Sequence, residues 1–274
     1  MFNPACIHLD WRGEGYFFRS DALERADADW QRWAAVVDEA KRGRFGATPE
    51  LFDIFLRTAD PLLRFACSRA LGDAGSDAAL DAVRTYLDRP LSYDPPLEPD
   101  DALKLLSALT QRGRLADIGS ILRIYDHIVA APDARIVALY LSLMLEPELG
   151  ALAEAPRGRA DITAYCDRAQ ASADACARRI GSITVPVFRG EPYHAPRLAG
   201  MVLHHLGASD GDSLMQPLLR RRFEAATGID CRGFYADRVF RPLTAASIVE
   251  GFLHSDAPGR FLPGVRYFFG RRIP

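Results

Sequence analysis

The sequence contains very little lysine and no long apolar run. Of its 34 basic residues only Lys41 and Lys104 are lysines, and the others are arginines. No stretch approaches the ~20 apolar residues that a membrane-spanning helix needs. The first residues, MFNPACIHLDWRGEG, also lack the basic segment followed by an apolar segment that marks a secretory signal. We therefore predict a cytoplasmic protein that does not enter a membrane.

Cysteine and the common ligand-binding motifs are also scarce. The five cysteines lie at positions 6, 67, 166, 176 and 231 with no C-x-x-C spacing, so we expect no structural disulfide. The chain has no G-x-x-x-x-G-K-[ST] motif for phosphate and no H-E-x-x-H motif for zinc. His204 and His205 are adjacent, so on a helix their rings diverge by about 100° and cannot share one metal. We predict no metal and no cofactor.

Few residues suggest catalysis. The best acid–base grouping is His194 with Glu191 and Tyr193 in a proline-rich loop. In such a loop the tyrosine more commonly packs and the histidine more commonly makes a structural hydrogen bond than either residue takes part in catalysis. The arginines at 220–222 spread around a helix, which is typical of a solvated face. We predict that the protein is not an enzyme and has no catalytic residues.

One stretch has the residue order of two short amphipathic helices, DPLLRFACSRALGDAGSDAALDAVRTYL at 60–87. Asp60 and Pro61 favour a helix start, and Gly75 predicts a left-handed cap at its end. Ser76 or Asp77 then caps a second helix. The predicted buried stripes recur at three- and four-residue steps, and they consist of Leu63, Ala66, Cys67, Ala70 and Ala74, then Leu80, Val83 and Leu87. The pattern predicts a tight antiparallel helix pair.

This pair resembles the HEAT repeat. The matching positions are Asp60–Pro61, Arg64, Ala66, 70–72 and Gly75. Weaker helical copies occur at 21–42, 48–55, 99–111, 115–130, 132–143 and 147–155, at intervals suited to stacked repeats. We predict a mainly α fold, with a HEAT-like α-solenoid of antiparallel helix pairs over residues 1–155.

Residues 156–274 are predicted to form a C-terminal helical region that contains extended or loop segments. A long helix at 160–180 is expected to pack through Ala164, Ala171 and Ala175. Residues 182–196 are rich in β-branched residues and proline, which favours an extended segment or loop. Further helices are predicted at 196–206, 212–227 and 243–253. The tail FLPGVRYFFGRRIP and residues 5–18 also read as extended, and whether they pair is left open.

Charge is divided unevenly along the chain. Residues 1–150 contain 24 acids and 17 bases, whereas residues 151–274 contain 12 acids and 17 bases. The loop RPLSYDPPLEPDD at 89–101 concentrates acids beside one aromatic residue. We predict a partner-binding site there, formed by Tyr93, Asp94, Glu98, Asp100 and Asp101. The alternative is an ordinary connector whose acids cap the helix that begins near residue 100.

A second resemblance lies in the last fifty residues. The segments GIDCRGFYADRVFRPLTAASIVEGFL at 228–253 and PGVRYFFGRRIP at 263–274 resemble the end of a bacterial immunity protein family of polymorphic toxin systems, the immunity protein 47 family. Arg271 departs from the family pattern, which has histidine there. The resemblance implies an antitoxin that binds a cognate protein toxin, for which a basic nuclease-type domain would suit the acidic loop.

Two other functions stay open at this point. A HEAT-like scaffold or peptide-binding module would use the same surface. A HEAT-like nucleic-acid-processing protein is disfavoured because phosphate neutralisation needs clustered bases and the predicted solenoid is acidic, so we expect no nucleic acid partner. The sequence leaves open whether the protein is a monomer or a small homo-oligomer.

Overall fold

The computed structural model describes residues 28–89, 97–129, 135–157, 159–208, 215–236 and 239–274. Within these residues the fold is mainly helical, as predicted, and none of the helices combines the length and apolar character that a membrane crossing needs. The helices are α1 (Ala28–Lys41), α2 (Glu50–Arg57), α3 (Pro61–Ala74), α4 (Asp77–Leu87), α5 (Pro99–Arg112), α6 (Ile118–Ile128), α7 (Arg135–Leu145), α8 (Arg159–Ile180), α9 (Ala195–Ala208), α10 (Met215–Thr227) and α11 (Pro242–Leu253).

The strands form three hairpins of two residues per strand. They are β1 (Val187–Phe188) with β2 (Glu191–Pro192), β3 (Tyr235–Ala236) with β4 (Val239–Phe240), and β5 (Tyr267–Phe268) with β6 (Arg271–Arg272), all antiparallel. The segment predicted as extended at 182–196 contains the first hairpin. The C-terminal tail pairs with itself in the third, and residues 5–18 lie outside the described residues.

The chain divides into two compact units. The larger unit contains Phe45–Tyr193, Gly264–Arg266 and Pro274, and the smaller unit contains the described residues up to Arg44, His194–Pro263 and Tyr267–Ile273. The division at residue 155 that the sequence suggested stays a prediction.

The two helices predicted at 60–87 form, but they do not make the tight pair that the sequence predicts, because α3 packs mainly against α2 and α5, and α4 packs mainly against α2, α5 and α6. Asp60 accepts a hydrogen bond from the Leu62 amide at 2.8 Å and thereby caps α3. Ser76 caps α4 by accepting from the Ala79 amide at 3.3 Å. All eight residues of the two predicted stripes are buried. Apolar burial on this scale stabilises these two helices far more than either cap does, because each buried large side chain contributes about 1.5–3 kcal/mol.

Gly75 does not take the predicted left-handed conformation. Its φ is −59° and its ψ is 128°. Glycine is required there for space, since a Cβ at Gly75 would lie 2.4 Å from the Leu71 carbonyl oxygen. The left-handed cap occurs instead at Gly113, after α5, with a φ of 77°. The sequence correctly predicts the end of α3 but not its geometry.

The helices of the larger unit contact one another in a regular order. α3 contacts α5 and α5 contacts α7, while α2 contacts α4, α4 contacts α6 and α6 contacts α8. The two sets are joined by contacts of α2 with α3, of α5 with α4 and α6, and of α7 with α8. Every second helix along the chain is therefore a neighbour in space.

The packing face predicted for α8 is wrong. Ala164, Ala171 and Ala175 are exposed, and the buried side chains are Ile162, Tyr165, Ala169, Ala173 and Cys176. Because alanine occurs on every side of this helix, it does not determine which face is buried. The larger residues determine the buried face. Tyr165 fixes it most firmly, because its hydroxyl donates to the Leu152 carbonyl at 2.9 Å.

The helix predicted at 147–155 is reduced to one 3-10 turn, Ala151–Ala153. The Glu146 carboxylate accepts from the amides of Gly150 and Leu152, both at 3.2 Å, and from the Ser142 hydroxyl at 2.6 Å. Such local side-chain bonds satisfy the backbone in a non-helical conformation.

Two hairpins cap helix ends in the same way. Arg189 and Gly190 have φ of 55° and 68°, and Phe269 and Gly270 have φ of 51° and 70°, as a two-residue hairpin turn requires. In the larger unit, the amides of Arg189 and Gly190 donate to the carbonyls of residues 143 and 144 near the end of α7, at 2.8 and 2.9 Å. In the smaller unit, the other turn donates to the carbonyls of residues 225 and 226 of α10, at 2.7 and 2.8 Å. Both turns supply donors to carbonyls that a helix end leaves free.

Aromatic rings fill the core of the smaller unit. Phe252, on α11, lies 5.3 Å from Phe223 and 5.8 Å from Phe261 between ring centroids, and Phe261 lies 4.9 Å from Tyr267. All three contacts are edge-to-face, the arrangement that the ring quadrupole favours. Phe261 and Tyr267 of the tail thus contribute to the core.

Candidate functional site

The predicted acidic site falls partly outside the described residues. Tyr93 and Asp94 lie there, so the structure places only Glu98, Asp100 and Asp101. These three acids lie at the beginning of α5, where negative charge is favoured by the helix dipole. Their contact with a partner stays a prediction.

The three acids have different surroundings. Asp101 has 16% of its side chain exposed, and it accepts from Arg64 on α3 at 2.6 Å and from Lys104 at 3.3 Å. Asp100 is 76% exposed and pairs with Lys104 one turn further along α5. Glu98 is exposed, and its side chain makes no capping bond. Asp101 therefore joins two helices of the larger unit, whereas Glu98 and Asp100 project towards solvent.

A stripe of half-exposed residues continues from these acids over three helices. We call it the α3–α5–α7 face, and it consists of Leu62, Phe65, Arg69, Lys104, Ser107, Ile136 and Leu139. On each helix these positions are three or four residues apart, so they lie on the same side of that helix. The face mixes aliphatic, aromatic and basic side chains.

Arg69 connects the two outer helices of this face. Its guanidinium donates to the Tyr140 hydroxyl of α7 at 2.6 Å, and its centre lies 4.8 Å from the Phe65 ring centroid. The bond passes from α3 to α7, and α5 is the helix that contacts both. The three helices thus present one continuous surface rather than separate ridges.

A buried ion cluster that the sequence did not predict lies where α4 begins and α5 ends. Arg112 and Asp117 are both fully buried and form two bonds, of 2.9 and 2.6 Å. Arg112 also donates to Asp81 at 2.8 Å, and Arg114 pairs with Asp77. The segment QRGRLAD at 111–117 was the available signal, because it places two arginines and an aspartate around the cap of an otherwise apolar helix.

Burial controls the electrostatics of this cluster. Burial raises the pKa of Asp117, and the neighbouring Arg112 opposes that rise. Burial lowers the pKa of Arg112, but the bonds to Asp117 and Asp81 outweigh it, so the net direction is upward. A buried pair of this kind fixes the geometry of the helix ends, and removal of one member leaves the other charge uncompensated.

Arg266, within the GVRYFFG segment, is also a structural residue. It lies in the larger unit and donates to the carbonyls of Gly75 and Gly72 at the end of α3, at 2.9 and 2.8 Å. Burial and the nearby Arg112 charge lower its pKa to about 10. The C-terminal motif and the glycines of the repeat-like motif therefore meet in one capping arrangement.

The three consecutive arginines are not a solvated face. Arg220, Arg221 and Arg222 are all buried, with 3%, 6% and 7% of their surface exposed. Arg220 donates to the Cys231 carbonyl at 3.0 Å, and its guanidinium lies 5.9 Å from the Phe234 ring centroid. The prediction failed because three adjacent charges on a helix cannot be assigned to one face, and carbonyls and rings can accommodate guanidinium groups in a core.

The residues of the acid–base grouping have separate structural partners. His194 donates from Nε2 to the Phe261 carbonyl at 3.1 Å, and Glu191 pairs with Arg179 at 3.4 Å. Tyr193 is buried, with its ring centroid 6.4 Å from that of Phe188. Across the described ranges, His, Cys, Asp and Glu side chains form no cluster of three that could hold a metal ion, and no two of the four described cysteines are joined in a disulfide.

Comparison of the chain with family models, with curated proteins and with solved structures found no match.

Proposed function

We propose that this chain is a helical-repeat protein that holds a protein partner on its surface. More particularly, we propose that it is an immunity protein of a bacterial polymorphic toxin system, related to the immunity protein 47 family. It would act in the cytoplasm by binding a cognate toxin and covering its active site.

The helix contacts of the larger unit support a HEAT-like α-solenoid. Its helices alternate between two rows, α3–α5–α7 and α2–α4–α6–α8, as they do when helix pairs stack. Arg64 bonds Asp101 near the beginnings of α3 and α5, at 2.6 Å. Gly72 lies against Gln111 near the ends of the same helices, where an added Cβ would be 2.7 Å from the Gln111 Oε1. Both contacts indicate that α3 and α5 run parallel, as equivalent helices of successive repeats do.

The observation that carries the proposal is the α3–α5–α7 face with two solvent-facing acids at its edge. The face presents Phe65 and Arg69, and aromatic residues and arginine are enriched at protein interfaces. Glu98 and Asp100 lie at the beginning of the middle helix and are exposed. An apolar and aromatic surface with a charged rim is the usual anatomy of a protein-binding site.

The rim acids favour a basic partner. A basic toxin domain would be attracted to Glu98 and Asp100 over about one Debye length, ~8 Å at physiological salt, which raises its association rate. Once bound, the partner would bury Phe65 and its neighbours. Inhibition would then be steric, and it requires no chemistry from this chain.

Co-expression is the direct test of this function. We expect a large toxin gene directly upstream, and its toxic C-terminal domain is produced in a host cell with and without this protein while growth is measured. We expect growth to be restored by the wild-type chain and lost again with Glu98→Arg combined with Asp100→Arg. Asp53→Arg is the matched control, because Asp53 is an exposed acid in the first turn of α2. Toxicity unchanged by the wild-type protein contradicts the antitoxin function and favours a scaffold or peptide-binding role for the same face.

A further inference from the structure

The smaller unit contains a cleft that is separate from the proposed toxin-binding surface. It has a volume of about 280 Å³ and is bounded by the end of α10, by α11, by the 3-10 turn at 257–260 and by the turn of the β5–β6 hairpin. At ~30 Å³ per water molecule in the liquid, this space corresponds to roughly nine waters or a small ring with one substituent.

The floor of the cleft is aromatic. Phe252, Phe261 and Phe269 all line it, and the first two are buried, with 3% and 7% of their surface exposed. Phe252 and Phe261 are held edge-to-face at 5.8 Å, so the floor is rigid. A flat apolar group can contact such rings and remove them further from water.

Two guanidinium groups stand at the same cleft with no acid beside them. Arg260 and Arg271 line it, and none of its described lining residues is acidic. Within the described part of the chain neither guanidinium has a hydrogen bond or ion pair. Lys41 lies nearby, with its Nζ 5.2 Å from the Phe269 ring centroid, but Asp38 at 4.0 Å offsets its charge, so the cleft depends on the two arginines. Concave surfaces lined by charge of one sign concentrate the field and attract the opposite charge.

The side chain of Arg271 is held in place. A Cβ at Gly43 would lie 3.4 Å from its Cγ and 3.5 Å from its Cδ, so the aliphatic part of Arg271 lies beside the glycine backbone. Arg272, the next residue along β6, does not line the cleft. Successive residues of a strand point to opposite faces, which explains the difference.

We propose that this cleft binds a small organic anion, a carboxylate or phosphate attached to an aromatic ring. The ring lies against the phenylalanine floor, and Arg260 and Arg271 donate to the anionic oxygens, since guanidinium groups match carboxylate and phosphate geometry. This site goes beyond the proposed antitoxin function and does not depend on it.

The test measures binding to the full chain by calorimetry and by NMR, with four probes. Phenyl phosphate and benzoate carry both the ring and the anion, inorganic phosphate carries only the anion, and benzyl alcohol carries only the ring. We expect one of the two aromatic anions to bind at least about tenfold more tightly than either partial probe, because the ring and the charged bonds each contribute. Comparison of phenyl phosphate with benzoate identifies the preferred anion.

Three variants localise the binding. Arg260→Gln and Arg271→Gln should each raise the Kd by about tenfold, the expected cost of one charge-assisted bond, and Arg272→Gln should leave it unchanged. Thermal unfolding of all three should match the wild type, since these side chains are exposed. Absence of saturable binding by either aromatic anion overturns the proposal. Equal weakening by Arg272→Gln and Arg271→Gln also overturns it, because it would show a general effect of surface charge.

Discussion

Two groups of acids lie at the two ends of α5, and each group has one member that represents an extreme of exposure. Glu98, Asp100 and Asp101 lie at its beginning, whereas Asp81 and Asp117 pair with Arg112 at its end, where Asp77 pairs with Arg114. In the second group Asp117 is fully buried and accepts two hydrogen bonds from Arg112. In the first group Asp100 is 76% exposed and pairs with Lys104 on its own helix.

Burial, and not charge, separates structural acids from acids that are available to a partner. A buried ion pair makes a folded chain depend on both its members, because either one alone is an uncompensated charge. An exposed ion pair contributes between 0 and about 1 kcal/mol and can exchange its partner at little cost. Asp101, at 16% exposure, lies between these limits and belongs with the structural acids.

The largest effect is expected at the buried end of α5. Asp117→Ala should lower the free energy of unfolding by about 3–5 kcal/mol, because it leaves the Arg112 guanidinium buried without its main partner. The combined variant Arg112→Met with Asp117→Leu should recover most of this loss. Denaturant unfolding followed by circular dichroism measures both. A loss below about 1 kcal/mol for the single variant would show that the cluster is not a structural requirement.

The next effect is expected at Arg266, which donates to two carbonyls beside the same cluster. Arg266→Met should lower the free energy of unfolding by about 1–3 kcal/mol, the cost of leaving buried acceptors unsatisfied. Arg272→Met, at an exposed position of β6, serves as the control and should change stability by less than about 0.5 kcal/mol. Equal stability of the two variants would contradict the capping role of Arg266.

A smaller effect is expected at Asp101. Asp101→Ala should lower the free energy of unfolding by about 1 kcal/mol, the upper range for a partly exposed ion pair, since it removes the link from α5 to Arg64 of α3. Asp100→Ala removes a pair within α5 alone and should change stability by less than half as much. The same denaturant measurement compares them, and a reversed order would place Asp100 among the structural acids.

The smallest effect on stability is expected at the outermost acids. Glu98→Arg combined with Asp100→Arg should change the free energy of unfolding by less than about 1 kcal/mol, because neither side chain is buried. The same variant should abolish protection in the co-expression assay, whereas Asp53→Arg should not. Full protection by the double variant would remove these acids from the binding surface.

Local signals in the sequence were sufficient for most helices. Asp60 with Pro61, and Ser76 before α4, define helix starts by backbone chemistry that depends only on neighbouring residues, and the structure confirms both. The buried stripe from Leu63 to Ala74 also follows from helical spacing alone. Mainly helical architecture could therefore be predicted before any tertiary contact was known.

Tertiary contacts decided what the sequence missed. Gly75 reads as a left-handed cap, yet it is required because the Leu71 carbonyl approaches it and because its own carbonyl accepts from Arg266, 191 residues away. Arg220, Arg221 and Arg222 read as surface charge, yet all three are buried, and Arg220 donates to the Cys231 carbonyl outside its own helix. Such long-range pairings leave no periodic trace in one sequence.

The candidate site was predictable in part. The acids at 98, 100 and 101 stand out as a charged loop and helix start, but spacing alone cannot show that Asp101 bonds Arg64 while Asp100 faces solvent. The α3–α5–α7 face is invisible in the sequence, because it combines residues of three helices that become neighbours only when the helices pack in a row.

We propose that the α3–α5–α7 face and its acidic rim bind a toxin. Titration calorimetry of this protein with the purified, catalytically inactivated domain of the toxin that we expect to be encoded beside it measures this binding without a host cell. We predict a one-to-one complex whose Kd rises at least about tenfold with Glu98→Arg combined with Asp100→Arg and stays unchanged with Asp53→Arg. Absence of a complex, or equal weakening by the rim and control variants, would contradict it.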